Sequence, residues 1–237
     1  MIPIRDDQPR FSTPYVTYFI VALNVLIFLF ELSVRAEGPH ALAGFMYQFG
    51  VVPREVTGII TGTPHISLAA AFVPILTSMF LHASFLHILG NMWVLWIFGD
   101  NIEDYLGHFS YLVFYLLCGV AASVTHILLN ADSGVPSVGA SGAIAGVMGA
   151  YFLLYPRARV LTVVPVFFLF FWWLPAWIVL GYWFLTQFLS GAATSVAYTS
   201  ETGGGIAFWA HVGGFVAGIA LIKIFPERPR RYRYGTW

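Results

Sequence analysis

Residues 139–156 read GASGAIAGVMGAYFLLYP: small residues give way to large apolar ones, and Pro156 with Arg157 closes the run. The stretch is too apolar to face water, yet it is short for a membrane crossing. From Ser141 to Pro156 a helix covers only about 22 Å, against a hydrocarbon core of about 30 Å. With Pro156 and Arg157 at the inner surface, the helix starts well below the outer one. It is preceded by NADSGVPSVGA at 130–140, where Gly, Pro and Asp disfavour a helix. Irregular backbone at membrane depth survives only where protein buries it or where it lines a watery cavity. The stretch therefore predicts a short, sunken helix with a wet pocket above Ser141.

The whole chain is 59% apolar and 9% charged, whereas soluble domains average roughly 45–50% and about 25%. This is the composition of a membrane protein. Zero formal charge gives no footing for a nucleic-acid partner, and the single cysteine, Cys118, excludes an intramolecular disulfide. Apolar runs near 15–34, 76–99, 109–129, 141–156, 166–190 and 206–224 predict an all-α bundle of six transmembrane helices, the sunken one fourth. The bundle domain would occupy 15–224, after a cytoplasmic N-terminal segment, 1–14, and before a basic cytoplasmic tail, 225–237. Arg35 spoils a small-residue cleavage site after the first run, so that run reads as a retained helix. Arg5, Arg10, Arg157, Arg159, Lys223, Arg228, Arg230, Arg231 and Arg233 all fall on one side if both termini do. By the positive-inside rule that side is cytoplasmic, which predicts a multi-pass protein of a plasma or inner cell membrane. The long external connection, 35–75, is expected to fold against the membrane, and the Gly/Ser/Thr-rich loop 191–205 to be mobile.

Polar groups inside such a bundle are costly and point to function. His211, in FWAHVGGFVAG, lies about 18 Å above Lys223 by helical rise, and Ser141 about 24 Å above Arg157. The faces Ser141/Ala145/Gly149 and His211/Gly214/Gly218 are made largely of small residues, which let two helix backbones touch. That contact would set Ser141 opposite His211, whose imidazole could take the serine proton. In HASFLHILGN, His87 and Asn91 share a face and reach the same zone. With the N–H of Ser141 at a helix start they could stabilise an oxyanion. His82 points elsewhere and reads as interfacial, as do His40, His65, His108 and His126; Cys118 reads as a small buried residue.

Each fragment has a plainer reading. An isolated GxSG or GxxxG string serves packing about four times in five, and a lone membrane histidine is an interhelical hydrogen-bonder about as often as not. A metal site is disfavoured: no HExxH occurs, and His82 and His87 lie about 140° apart around a helix. Asp100, Glu103 and Asp104 gather at an inner end and Glu31 near an outer one, which leaves no acid pair for aspartyl chemistry.

Taken together, HASFLHILGN, GASGA and AHVGGFVAG, in that order along the spans, resemble the rhomboid family of intramembrane serine proteases. The resemblance implies Ser141 as nucleophile, His211 as base, and an oxyanion hole from His87, Asn91 and the Ser141 amide. It implies a structural Glu103 tying inner helix ends together and Gly139, Gly142, Gly214 and Gly218 supporting the site. No cofactor is implied. The partners would be the lipid bilayer and transmembrane protein substrates, cleaved where their helix can unwind and admitted past the fifth span, with its FFLFFWWLPAW and a Pro175 able to start or kink a helix. Two positions depart from the family. Ala145 stands where some members place a tyrosine under the histidine ring, and the first external loop lacks tryptophan. With no acid placed as a third member, another group must orient His211, and turnover is expected to be modest. A rhomboid-like protein that holds membrane clients without cutting them is the alternative, opposed by the pair Ser141 and His211. A histidine-relay transporter is opposed by the apolar inner halves of the spans.

Overall fold

The computed structural model describes residues 1–62, 66–165, 169–196 and 207–228. Among the described residues, three helices are long and apolar enough to cross a membrane: α1 (Tyr15–Ala36), α6 (His108–Leu129) and most of α8 (Ala176–Val196). One further pair of helices passes that test only when its two parts are taken together. Helix α4 (Leu68–Thr77) and a 3-10 turn, Ser78–Phe80, meet α5 (Phe85–Leu106) at a 73° bend. The run expected as one span at 76–99 is thus broken, because Ser84 starts a new helix by accepting a hydrogen bond from the N–H of His87 (3.2 Å). Helices α7 (Ser141–Leu154) and α9 (Phe208–Leu221) are apolar and have 14 residues each. Each is only about 21 Å long at 1.5 Å per residue.

Helix α7 is the centre of the protein. Every residue from Gly142 to Tyr151 is buried, as expected of a helix apolar on all sides. Its closest neighbour is α9, with backbone against backbone. A Cβ added to Gly214 would lie 2.0 Å from the carbonyl oxygen of Gly142, and one on Gly218 2.0 Å from that of Gly146. One on Gly149 would lie 2.1 Å from the Phe215 oxygen. The contact line on α7 is therefore Gly142, Gly146 and Gly149, rather than the expected Ser141, Ala145 and Gly149. Ser141 is left at the mouth of the seam, while Gly146 also meets Cys118 of α6.

Inside the external connection lie α2 (Pro39–Phe49) and α3 (Pro53–Thr61). They cover the irregular 130–140 segment. Val51 pairs with Ser137, and Thr57 Oγ1 donates to the carbonyl of Ala131 at 2.8 Å. The non-helical backbone ahead of α7 thus finds its partners in protein.

The expectation of an all-α chain needs correction. Strands β1 (Ile2–Asp6), β2 (Arg159–Pro165) and β3 (Leu169–Pro175) form an antiparallel sheet in the order β1-β2-β3. The apolar run 166–190 is accordingly not one helix. Its first part, LFFWWLP, is bulky, aromatic and flanked by prolines, which suits a strand. Helix α8 starts only after Pro175, where Ala176 N–H donates to Ala158 O (2.8 Å) and Trp177 N–H to Pro156 O (3.2 Å). It continues to Val196, so the first six residues of the loop expected at 191–205 are helical, and 197–206 lie outside the described residues, as does the tail beyond 228.

The N-terminal segment, 1–14, is docked on the bundle through its first residues. Beyond β1, Trp93 Nε1 donates to the Pro3 carbonyl (2.7 Å), Arg159 N–H to Asp7 Oδ1 (2.7 Å) and the Tyr151 hydroxyl to Asp6 Oδ2. Burial raises the Asp6 carboxyl to about 6 from an ordinary 3.8. Since the folded value lies above the unfolded one, this docking is fully stabilised below pH about 4 and loses that contribution as pH rises through about 6. Wild-type protein is expected to melt higher at pH 5 than at pH 7.5. In Asp6→Asn, which cannot titrate, that difference should shrink; an unchanged difference would show that Asp6 does not cause it.

Glu103 locks the same end of the bundle. Fully buried on α5, it accepts from Val16 N–H (2.9 Å), Thr17 N–H (2.7 Å) and Thr17 Oγ1 (2.8 Å). Because Pro14 gives α1 no side-chain cap, Glu103 supplies one from another helix. His108 at the start of α6 bonds the same carboxylate, so three helix ends meet on one acid.

Candidate active site

Ser141 is the first residue of α7, and its Oγ lies 2.8 Å from Nε2 of His211 on α9. The two residues are 70 apart in sequence, and the glycine seam joins their helices just below them. His211 is buried. Its second nitrogen, Nδ1, lies 2.7 Å from Oε1 of Gln187 on α8, and the Trp183 ring sits 5.6 Å away at 35°. These two residues of α8 surround the base in place of the absent tyrosine.

The approach to Ser141 is shaped by Gly139, at φ +135°, a conformation that side-chain-bearing residues rarely adopt. A Cβ there would lie 2.8 Å from Nε2 of His87 and 3.5 Å from Ser141 Oγ. Glycine is thus what allows His87 to stand beside the serine. Gly139 N–H is held by Ser78 O at 2.8 Å. The N–H groups of Ser141, Gly142 and Ala143 open the helix and have no intrahelical acceptor, and no side chain caps them. Next to them is a pocket of about 30 Å³ lined by Ser78, Ser123, His126, Ser137, Ser141 and Gly142, among others. That is polar enough and large enough to hold water.

Asn91 stands one step further from the serine. Its Nδ2 lies 2.9 Å from Nε2 of His82, whose own backbone N–H donates to both oxygens of Glu31 (3.0 and 3.3 Å). His82 is fully buried and packs edge-on against His87 at 5.1 Å. The interfacial reading of His82 is therefore corrected: the bend before α5 turns it inward, and Glu31 is buried with it. The structure brings together Ser141 and His211, sets His87 and Gly139 beside them, and connects Asn91 through His82 to α1. Sequence reasoning passed over Gln187 and Trp183. An amide alone in WFLTQFL was the available signal, since polar side chains in apolar spans want partners.

Chemically, a hydroxyl donating to a buried imidazole can become a nucleophile. Adjacent free N–H groups can receive the oxyanion made when it attacks a carbonyl.

Comparison with known proteins follows the same outline. The Rhomboid domain matches residues 69–228. The chain is 29% identical over 192 residues to the mouse presenilin-associated rhomboid-like protein, mitochondrial, covering 77% of this chain and 45% of that protein. It is 31% identical over 176 residues to yeast rhomboid protein 1, mitochondrial, covering 70% and 47%. A third match, rhomboid-like protein 11, chloroplastic, from Arabidopsis thaliana, is 26% identical over 167 residues, covering 67% and 54%. The chain spans about half the length of the curated relatives it matches. Their names overturn the expected plasma or inner cell membrane, since the mouse and yeast proteins are mitochondrial. Basic residues report which side of a bilayer a loop occupies, not which bilayer it is. The domain match covers more than half the chain and includes the helices that carry Ser141, His211, His87 and Asn91, and the chain belongs to the rhomboid family.

Proposed function

We propose that this chain is an intramembrane serine endopeptidase that cleaves transmembrane segments of other proteins. The observation that carries the reading is the 2.8 Å approach of Ser141 Oγ to His211 Nε2 inside an apolar bundle. In the proposed reaction Ser141 Oγ attacks the scissile carbonyl while its proton passes to His211 Nε2. The tetrahedral oxyanion is held by the Ser141 amide and His87, with Asn91 behind them. Collapse breaks the C–N bond, and His211 returns its proton to the departing amine. Water, activated by the same imidazole, then hydrolyses the acyl-serine ester. No cofactor takes part.

In this reading the chain crosses the bilayer six times, on α1, α5 with its lead-in, α6, α7, α8 and α9. The shortness of α7 supports a serine lying below the outer surface, reached by water through the 130–140 segment. A substrate helix must unwind before attack, because a helical carbonyl is hydrogen-bonded and shielded. A mitochondrial membrane, as in the names of the mouse and yeast relatives, replaces the cell membrane as the place to look for substrates.

The test is covalent labelling of purified protein by a fluorophosphonate, together with cleavage of a reconstituted single-span substrate. Wild type is expected to label and cleave, and Ser141→Ala to do neither. Equal labelling of both would remove the proposed nucleophile. Absence of both activities from folded wild type would favour the non-proteolytic, client-holding alternative.

A further inference from the structure

We infer that Gln187 of α8 is the positioning residue that fixes the tautomer of His211, so that Nε2 faces Ser141 as a proton acceptor. This rests on the dyad reading above and supplies the orienting group that Ala145 cannot. The assignment follows from a chain of hydrogen bonds with one direction. Thr186 Oγ1 lies 2.7 Å from the carbonyl oxygen of Trp183; a carbonyl only accepts, so the single hydroxyl hydrogen of Thr186 is committed there. The hydroxyl oxygen then has only lone pairs for Gln187, and Gln187 Nε2 donates to it at 3.3 Å. The other end of the amide, Oε1, must therefore face His211, at 2.7 Å from Nδ1.

An amide oxygen only accepts, so Nδ1 carries the hydrogen and Nε2 of the neutral ring carries none. Ser141 Oγ, 2.8 Å from Nε2, is left with one role in that contact, which is to donate. Reversing the amide would set Oε1 against the oxygen of Thr186, with no hydrogen between them. Moving the ring proton to Nε2 would set two acceptors, Nδ1 and Oε1, face to face. Either change breaks a bond that the observed arrangement makes. The Trp183 ring at 5.6 Å limits rotation of the imidazole.

The choice of an amide suits the setting. A carboxylate at this depth would bring a charge into the bundle at high cost, whereas glutamine orients the ring without one. It also leaves the imidazolium formed during reaction without a compensating charge, which is a physical reason to expect modest turnover. The other titratable side chains acting on the ring are His87 of α5 and His126 of α6.

The experiment compares wild type, Gln187→Met and Gln187→Glu in detergent, with melting measured to show that each is folded. Methionine keeps the length of the side chain and removes the acceptor. It is expected to lower both kcat and the fluorophosphonate labelling rate by about 10- to 100-fold, with KM within about twofold. Glutamate restores an acceptor and adds a charge. It is expected to recover most of the rate and to move the acidic limb of the pH profile upward by about one unit or more. A Met variant within about twofold of wild type would overturn the inference. So would a Met variant that is slow while the Glu variant neither recovers nor shifts the limb, for the contact would then be packing alone. Failure of the dyad is read separately, as labelling of Ser141→Ala at the wild-type rate.

Discussion

His211→Ala is expected to lower substrate turnover by about 10⁴-fold or more, or roughly 5.5 kcal/mol of transition-state stabilisation at 1.36 kcal/mol per decade. The buried imidazole is the group touching Ser141 Oγ; of the other imidazoles nearby, His87 stands on the Gly139 side of the serine, where the proposed reaction uses it for the oxyanion, and His126 lines the adjoining pocket. His126 bonds Asn130 instead, Nδ1 to Nδ2 at 3.3 Å. Because nucleophile and base act as a unit, Ser141→Ala, His211→Ala and the double variant should be equally inactive rather than additive. Substrate binding, measured by crosslinking or by KM where activity persists, should change little, since neither side chain is needed to hold an unwound helix. A His211→Ala enzyme retaining a tenth of wild-type turnover would show that another base serves Ser141. A double variant markedly worse than either single one would show that the two act independently.

The second large effect is structural. Gly214→Val is expected to cost more than about 3 kcal/mol, lowering the melting midpoint by roughly 6–12 °C for a chain of this size. The reason is the nature of the neighbour: the added Cβ would meet the carbonyl oxygen of Gly142 at 2.0 Å. Backbone cannot rotate away as a side chain can, so α9 must move off α7 as a whole. That shift would also open the contact at Gly218, whose added Cβ would meet Gly146 O at 2.0 Å, one turn further along the same line. Gly214 is three residues from His211, so the Ser141–His211 distance should lengthen and labelling should fall along with stability. By contrast, Gly44→Val and Gly90→Val, where nothing lies within 4 Å of an added Cβ, should change stability only by the helix-propensity difference, which favours valine over glycine by under about 1 kcal/mol. A Gly214→Val protein melting within 2 °C of wild type, with undiminished labelling, would contradict the seam.

Much of the candidate site was legible because its residues are chemically out of place. Ser141, His211, His87 and Asn91 interrupt apolar stretches, and an intramembrane polar group calls for a reason. Small residues at helical spacing announced that two backbones touch, though not their register: Gly142 and Gly146, not Ser141 and Ala145, carry the contact on α7. A one-residue step turns a helix by about 100°, and a face on which nearly every residue is small or apolar gives no local signal of that rotation. His82 was misread for a related reason. Its depth was inferred from a continuous span, whereas the bend between α4 and α5 folds it inward to meet Asn91 and Glu31.

The strands were hidden by hydrophobicity itself. In water an alternating pattern betrays a strand, but against a bilayer both faces can be apolar, and LFFWWLP then runs on into the helix behind it. Composition, the brevity of the run after Ser141, and the order of its motifs were enough for the sequence alone to determine a membrane protein of this family, with a serine and a histidine as its candidate dyad. Only the tertiary structure decided which face of α7 meets α9, that the N-terminal segment completes a sheet, and that Gln187 holds the ring of His211. Those outcomes depend on contacts between segments distant along the chain, 24 residues apart for Gln187 and His211 and 145 for Asp6 and Tyr151. Local propensity carries no term for such contacts; packing and the satisfaction of buried hydrogen bonds decide them.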